Sequence, residues 1–313
     1  MINFRYHVVS IAAVFLALAL GLIVGTAAFN GPAADGLAAS VDQMGKENQS
    51  LRDEVKHLNE EAEQEEKFAT EALPWMIGNR LNGKRVLIIT TTDADKEYVD
   101  GVAEALRTVG GATITGQVSF QKRFVDPASK EELLDLVDNG TPSTVTGLPA
   151  NSNGVETGAA LLAAVLVDHN PEVAEPDRTK TLNAFLGSYL VGSLVKQPAE
   201  AILVLAGPPY NEKDAGKFNT GLKTIVEQFD KAGPIVVAAE STAGDGNLVG
   251  AVRGDSDLSK PVSTVDNAGT PQGRAAVLLA LADQIESKTA GHYGVSGQNG
   301  LMPKAPAGTK NGS

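Results

Sequence analysis

The chain has 313 residues, enough for one large domain or two ordinary ones with a sizeable core. Its formal net charge of −12 argues against nucleic acid or anionic lipid as a main partner, because both need clustered Lys and Arg. It has no cysteine, which excludes disulfides, zinc fingers and thiolate chemistry.

Residues 1–7 carry Arg5 and His7, and an unbroken apolar run follows from Val8 to Phe29. At about 1.5 Å per residue this run reaches roughly 33 Å, enough for a bilayer core of about 30 Å. The apolar region of a cleaved signal peptide is shorter, about 7–15 residues, although Thr26, Ala27 and Ala28 would make a cleavage site. The run is therefore expected to stay as a transmembrane helix over 8–29. Arg5 before it, and Asp35 after it, place the N-terminus in the cytoplasm and the remainder outside. Gly21 and Gly25 form a G-x-x-x-G pair that would let a second membrane helix approach closely.

A heptad repeat follows within residues 30–73. Its apolar seam runs Leu37, Val41, Met44, Asn48, Leu51, Val55 and Leu58, in steps of four and three. Val at one seam position and Leu at the other favour a parallel pair, and a single Asn fixes register and two-strandedness. A parallel homodimeric stalk is the expectation. The seam then weakens through Glu61, Ala62, Glu65, Glu66 and Ala69, in a stretch with five Glu against one Lys (NEEAEQEEK). This acidic half is either a frayed, solvated helix end or a groove left open for a partner helix. Pro74 is expected to end the helix. Trp75, the sole tryptophan, is expected to pack the stalk onto the next domain.

Residues 74–289 read as an α/β domain. KRVLIITTT, AILVLAG and PIVVAAE are short apolar, β-branched runs typical of buried parallel strands, and ATITGQVSF and PVSTVDN add two more. Helices are predicted after the first strand, over SKEELLDLVDNG, Val155–Val167, Thr181–Val195 and Lys217–Lys231, and over PQGRAAVLLALADQIESK. Strands alternating with helices imply a Rossmann-like, three-layer α/β/α domain with a mostly parallel sheet. The tail 290–313 is rich in Gly, Pro, Asn and Ser and is expected to be disordered.

Chemistry is hard to find in these residues. The first strand–helix turn, TTTDADKE, has neither G-x-G-x-x-G nor G-x-x-x-x-G-K. Two prolines in AGPPYNEKDAG remove amides that an anion would need, and ESTAGDGNLVG holds no nucleophile elbow around Ser241. Asp93, Asp95, Asp245 and Asp266 lie near strand ends, where Asp is more often a cap or turn former than a ligand-binding residue. The histidines (7, 57, 169, 292) and methionines (1, 44, 76, 302) are scattered, whereas copper(I) prefers clustered soft ligands. His169 and His292 are expected on the surface. No cofactor and no enzyme activity is expected.

The run FRYHVVSIAAVFLALALGLIVGT, the heptads after it and the stretch STVDNAGTPQGRAAVLLALADQ together resemble the actinobacterial MctB/SteB family. Two roles come with that resemblance. MctB-like members, often labelled copper transporters, are implicated in copper export through a proposed outer-membrane channel. SteB-like members act in cell separation with a membrane partner, SteA. There the extracytoplasmic coiled coil engages a helical segment of a RipA-type peptidoglycan hydrolase and activates it. The stalk pattern favours the second role, and the copper role rests on the resemblance alone.

Overall fold

A computed structural model describes residues 4–29, 32–92, 94–151, 153–168, 171–193, 195, 197–209, 215–244 and 246–304. The chain divides into two compact units, Met1–Glu65 and Glu66–Ser313.

The first unit is helical. α1 (Phe4–Phe29) contains a 22-residue span, Tyr6–Ala27, long and apolar enough to cross a membrane, and none of that span is buried within the protein. A helix that is apolar on all sides and buries none of them in protein suits a lipid environment. α2 (Pro32–Ile77) starts in this unit and carries the heptads. Its last turns belong to the second unit, where they continue through Pro74 to Ile77. This corrects the expectation that Pro74 ends the helix. Proline deletes one backbone hydrogen bond, but the fully buried Ile77 and nearly buried Leu73 hold the turn, and Gly78 closes it with its amide on the Pro74 carbonyl at 3.1 Å. Trp75 is 89% exposed, which corrects the expectation that it packs against the next domain: Leu73 and Ile77 are one turn apart and take the inward face, so Trp75 points out.

The second unit holds β1 (Arg85–Thr91), α3 (Lys96–Thr108), β2 (Thr113–Phe120), α4 (Lys122–Val125), α5 (Lys130–Gly140), α6 (Gly154–Leu166), α7 (Glu175–Phe185), β3 (Leu190–Gly192), β4 (Ala201–Ala206), α8 (Ala215–Ala232), β5 (Ile235–Ala239), α9 (Leu248–Arg253), β6 (Ser263–Val265), α10 (Pro271–Ser287) and β7 (His292–Tyr293). The strands form a seven-stranded sheet in the order β3-β2-β1-β4-β5-β6-β7. All pairings between its strands are parallel except β2 with β3.

Both faces of the sheet are covered. Leu87 and Ile89 of β1, and Ile202 and Val204 of β4, point into a core shared with α4 to α9. Val86 and Ile88, with Leu203 and Leu205, point into the opposite core, shared with the end of α2, α3 and α10. The period-two alternation of strand side chains divides each run between the two layers, so every position must be apolar. This is the mixed α/β, mostly parallel architecture that the alternating elements imply.

Two assignments change. The helix expected over Thr181–Val195 ends at Phe185; Gly187, at φ +93°, turns the chain back into β3, which pairs antiparallel with β2. The tail expected to be disordered from residue 290 instead supplies β7 at His292–Tyr293, parallel to β6, and residues 305–313 lie outside the described residues. β7 forms because the β6 edge offers unpaired backbone groups that its own local sequence gives no sign of filling.

Candidate functional site

Every seam residue lies on α2. Leu37, Val41, Met44, Leu51, Val55 and Leu58 are large apolar side chains left exposed in a single chain. Asn48 is exposed among them. Below the seam, Glu61, Ala62, Glu65 and Glu66 are exposed, whereas Ala69 is half-buried. Gly21 and Gly25 sit on α1 with open space where a Cβ would project.

The carboxyl end of the sheet is where ligands bind in open α/β folds. Here β1 leads to α3 on one face, and β4 leads to α8 on the other. The crevice between them is stitched together. The Gly207 amide donates across it to Thr91 Oγ1 at 2.8 Å, while on the other side of β1 the Thr92 hydroxyl donates to the Phe120 carbonyl of β2 at 3.0 Å. Asp95 accepts from the amides of Glu97 (2.8 Å) and Tyr98 (3.1 Å), so it is the N-cap of α3. Ser241 is exposed. Asp93 and Asp245 lie outside the described residues.

Asp266 is different. It is fully buried at the end of β6, and Arg253 at the end of α9 reaches it. Arg253 Nη1 donates to Asp266 Oδ2 at 2.8 Å and to Ser296 Oγ at 2.9 Å. Its Nη2 donates to the Tyr293 carbonyl at 2.7 Å, and its Nε to Thr264 Oγ1 at 2.8 Å. The Ser296 amide and hydroxyl both donate to the Asp266 carboxylate. Burial alone would push the Asp266 carboxyl up; the Ser296 and Arg253 hydrogen bonds and the Arg253 charge outweigh it and hold the group below its ordinary range.

His292 completes the cluster. It is buried, which corrects the expectation of a surface residue: β7 pairs with β6 and sets its ring against the Thr264 side chain. Its Nδ1 lies 2.9 Å from the Thr264 hydroxyl. Burial, then the Arg253 charge, lowers its pKa. The cluster contains Ser, His and Asp, but they are not wired for nucleophilic catalysis. Ser296 donates directly to Asp266, and His292 bonds to Thr264 and not to the serine. What this geometry does is fasten α9, β6, β7 and the following loop together.

Among the described residues, no group of three or more His, Cys, Asp or Glu side chains could hold a metal ion. His292 has its Nδ1 engaged by the Thr264 hydroxyl, and His169 lies outside the described residues. Among the described residues, the His, Asp and Glu side chains form no cluster fitted to a copper ion. A cleft of 490 Å³ lies where α5 and α6 begin, lined by Lys130, Asn153 and Thr220 among others.

Two residues of these networks escape sequence patterning. Arg253 and Ser296 are ordinary in type, and the only signal for Arg253 is one cation closing an otherwise apolar turn (LVGAVR).

A family model described as "Copper transport outer membrane protein, MctB" matches residues 1–303. The proteins named "Copper transporter MctB" from Mycobacterium tuberculosis (strain ATCC 25618 / H37Rv) and Mycobacterium bovis (strain ATCC BAA-935 / AF2122/97) are each 29% identical to this chain over 314 residues, covering 94% of it and 96% of the relative. The protein of that name from Mycobacterium leprae (strain TN) is 28% identical over 326 residues, with the same coverage.

Proposed function

Because this chain belongs to the MctB family, we propose that it serves copper homeostasis in the cell envelope as a tethered, non-enzymatic accessory protein. The observation that carries this is the family match over residues 1–303, together with relatives named as copper transporters. The role is accessory because the sheet is mostly parallel and covered on both faces, unlike the closed antiparallel barrel that lines an outer-membrane pore. The anchor is α1, with the N-terminus in the cytoplasm, following the bias of Arg5 before the span. Copper is cargo handled by the system this protein supports; the described residues offer it no cluster of donors.

A second reading is favoured by one specific observation, the exposed stripe on α2. Six large apolar side chains with one Asn, at alternating four- and three-residue steps, suit a parallel homodimer. Gly21 and Gly25 would pack the two anchors. The acidic stretch from Glu61 to Ala69 would then receive a helical segment of a RipA-type peptidoglycan hydrolase, with a SteA-like membrane partner, in cell separation.

One experiment separates the two. A strain lacking the gene is complemented with the wild type or with Leu51→Pro, and grown with and without added copper. The copper reading expects a growth defect that appears only with copper and is rescued by the wild type. Chained, unseparated cells at all copper levels, rescued by the wild type and not by Leu51→Pro, would support the second reading and sink the first. The exposed Trp75 reports on partner docking: a blue shift of its fluorescence on adding a hydrolase segment would place that partner along α2.

A further inference from the structure

β7 is the last strand of the sheet, and its outward backbone groups ought to be unpaired. They are not. The His292 amide donates to Asn299 Oδ1 at 2.7 Å, and the His292 carbonyl accepts from the Asn299 amide at 2.9 Å. The next outward amide, that of Gly294, donates to the carbonyls of Gly300 and Leu301, both at 3.1 Å. One asparagine therefore satisfies both outward groups of His292, and its two successors satisfy the next. Residues 299–301 stand where an eighth strand would stand.

The loop that brings them there is pinned. Gly294 has φ +107°, a conformation open to glycine and strained for other residues, and it reverses the chain beside Asp266. A Cβ on Gly294 would lie 2.7 Å from the Asp266 carbonyl oxygen, so a side chain here would meet backbone as well as strain. Ser296 is then held by the buried Asp266–Arg253 pair. The contacts run from a fully buried carboxylate to an exposed loop.

We propose that residues 294–301 are an edge cap, which keeps the β7 edge from pairing with the same edge of a second copy of this chain. An unpaired edge is a template for another strand, and natural sheets block such edges. The competing strand is a second copy because two identical edges are self-complementary about a two-fold axis. Chains tethered by α1 in one membrane would also meet at high effective concentration.

The test is the chain with α1 and α2 intact but stopped after Gln298, studied in detergent micelles beside the full-length wild type. This variant keeps Ser296 and its contacts, and loses residues 299–301, which pair with the edge, and everything after them. Hydrogen exchange at the His292 and Gly294 amides should rise at least about tenfold, while amides of β1 and β4 keep their wild-type rates. The variant should also show a larger assembly than the wild type by light scattering. Unchanged exchange at His292, or an unchanged assembly size with the edge opened, overturns the proposal. If the truncation loosens the whole sheet, Asn299→Ala decides. It removes the side-chain acceptor alone, so the His292 amide must exchange faster than in the wild type while the Thr264 amide does not. No difference between the two amides overturns the proposal.

Discussion

The amide of Gly207 donates a 2.8 Å hydrogen bond to Oγ1 of Thr91, joining the first residue after β4 to the last residue of β1. These two strands are neighbours at the centre of the sheet, and their connections leave to opposite faces. In folds of this architecture the gap at that point admits a ligand. Here the Thr91 side chain bonds across it to the Gly207 amide.

Thr91→Val keeps the shape and deletes the acceptor, leaving a buried amide unpaired. The expected loss is about 1–3 kcal/mol. Thr91→Ser, which retains the oxygen, should lose much less. Urea unfolding of both variants in detergent, followed by circular dichroism, measures the difference. Equal midpoints for the two variants would show that the hydrogen bond carries none of the stability.

Acid should weaken the body in two steps. His292 has a folded pKa below its ordinary value, so its contribution is complete above about pH 6.5 and is lost as pH falls through the folded value. Asp266 is also depressed, from an ordinary value near 3.8, so its contribution is complete above that value and disappears at lower pH still. Arg253 faces both groups. Melting temperature should fall modestly below pH 6.5 and steeply below pH 4. Asp266→Asn should flatten the lower step, at the cost of leaving Arg253 buried without its anion, about 3–5 kcal/mol.

Two glycines should respond in opposite directions. A Cβ at Gly273, in the first turn of α10, would lie 1.9 Å from the Asn267 carbonyl oxygen and 2.7 Å from Ala268 Cα. Those are backbone atoms with no rotamer to give, so Gly273→Ala should cost about 1–3 kcal/mol. A Cβ at Gly45, inside α2, meets nothing within 4 Å, so Gly45→Ala should strengthen that helix by about 1 kcal/mol. Thermal melts followed at 222 nm test both signs.

Asn48 tests the proposed pairing of α2. Buried in a two-stranded seam it would cost stability and fix the number of strands. Asn48→Val should therefore raise the melting temperature of the helix and broaden the assembly from dimers to a mixture in sedimentation velocity. An unchanged melt and an unchanged distribution would mean that this face is not a seam.

Much of the fold was legible because its signals are local. β4, β5 and the Val86–Ile89 segment of β1 are uninterrupted apolar runs that only a sheet covered on both faces can bury. The heptads place Leu37 to Leu58 on one stripe of α2, although whether that stripe meets another chain is not a local matter. The candidate site was less legible. Asp266 stood out only as an acid near a strand end, Arg253 only as a cation closing an apolar turn, and Ser296 not at all, because their meaning depends on contacts that lie 13 and 30 residues from Asp266.

Sequence alone thus determined the membrane-length helix, the long α2 and the alternation that makes an α/β sheet, since each follows from the spacing of apolar residues along one segment. Tertiary structure decided the rest: the turn of α2 beyond Pro74, β3 where a helix was expected, and β7 with its cap where disorder was expected. Local preferences are worth tenths of a kcal/mol per residue, whereas burying one large side chain is worth about 1.5–3 kcal/mol. Where Ile77 could be buried, or His292 paired, the tertiary contact overrode the local preference.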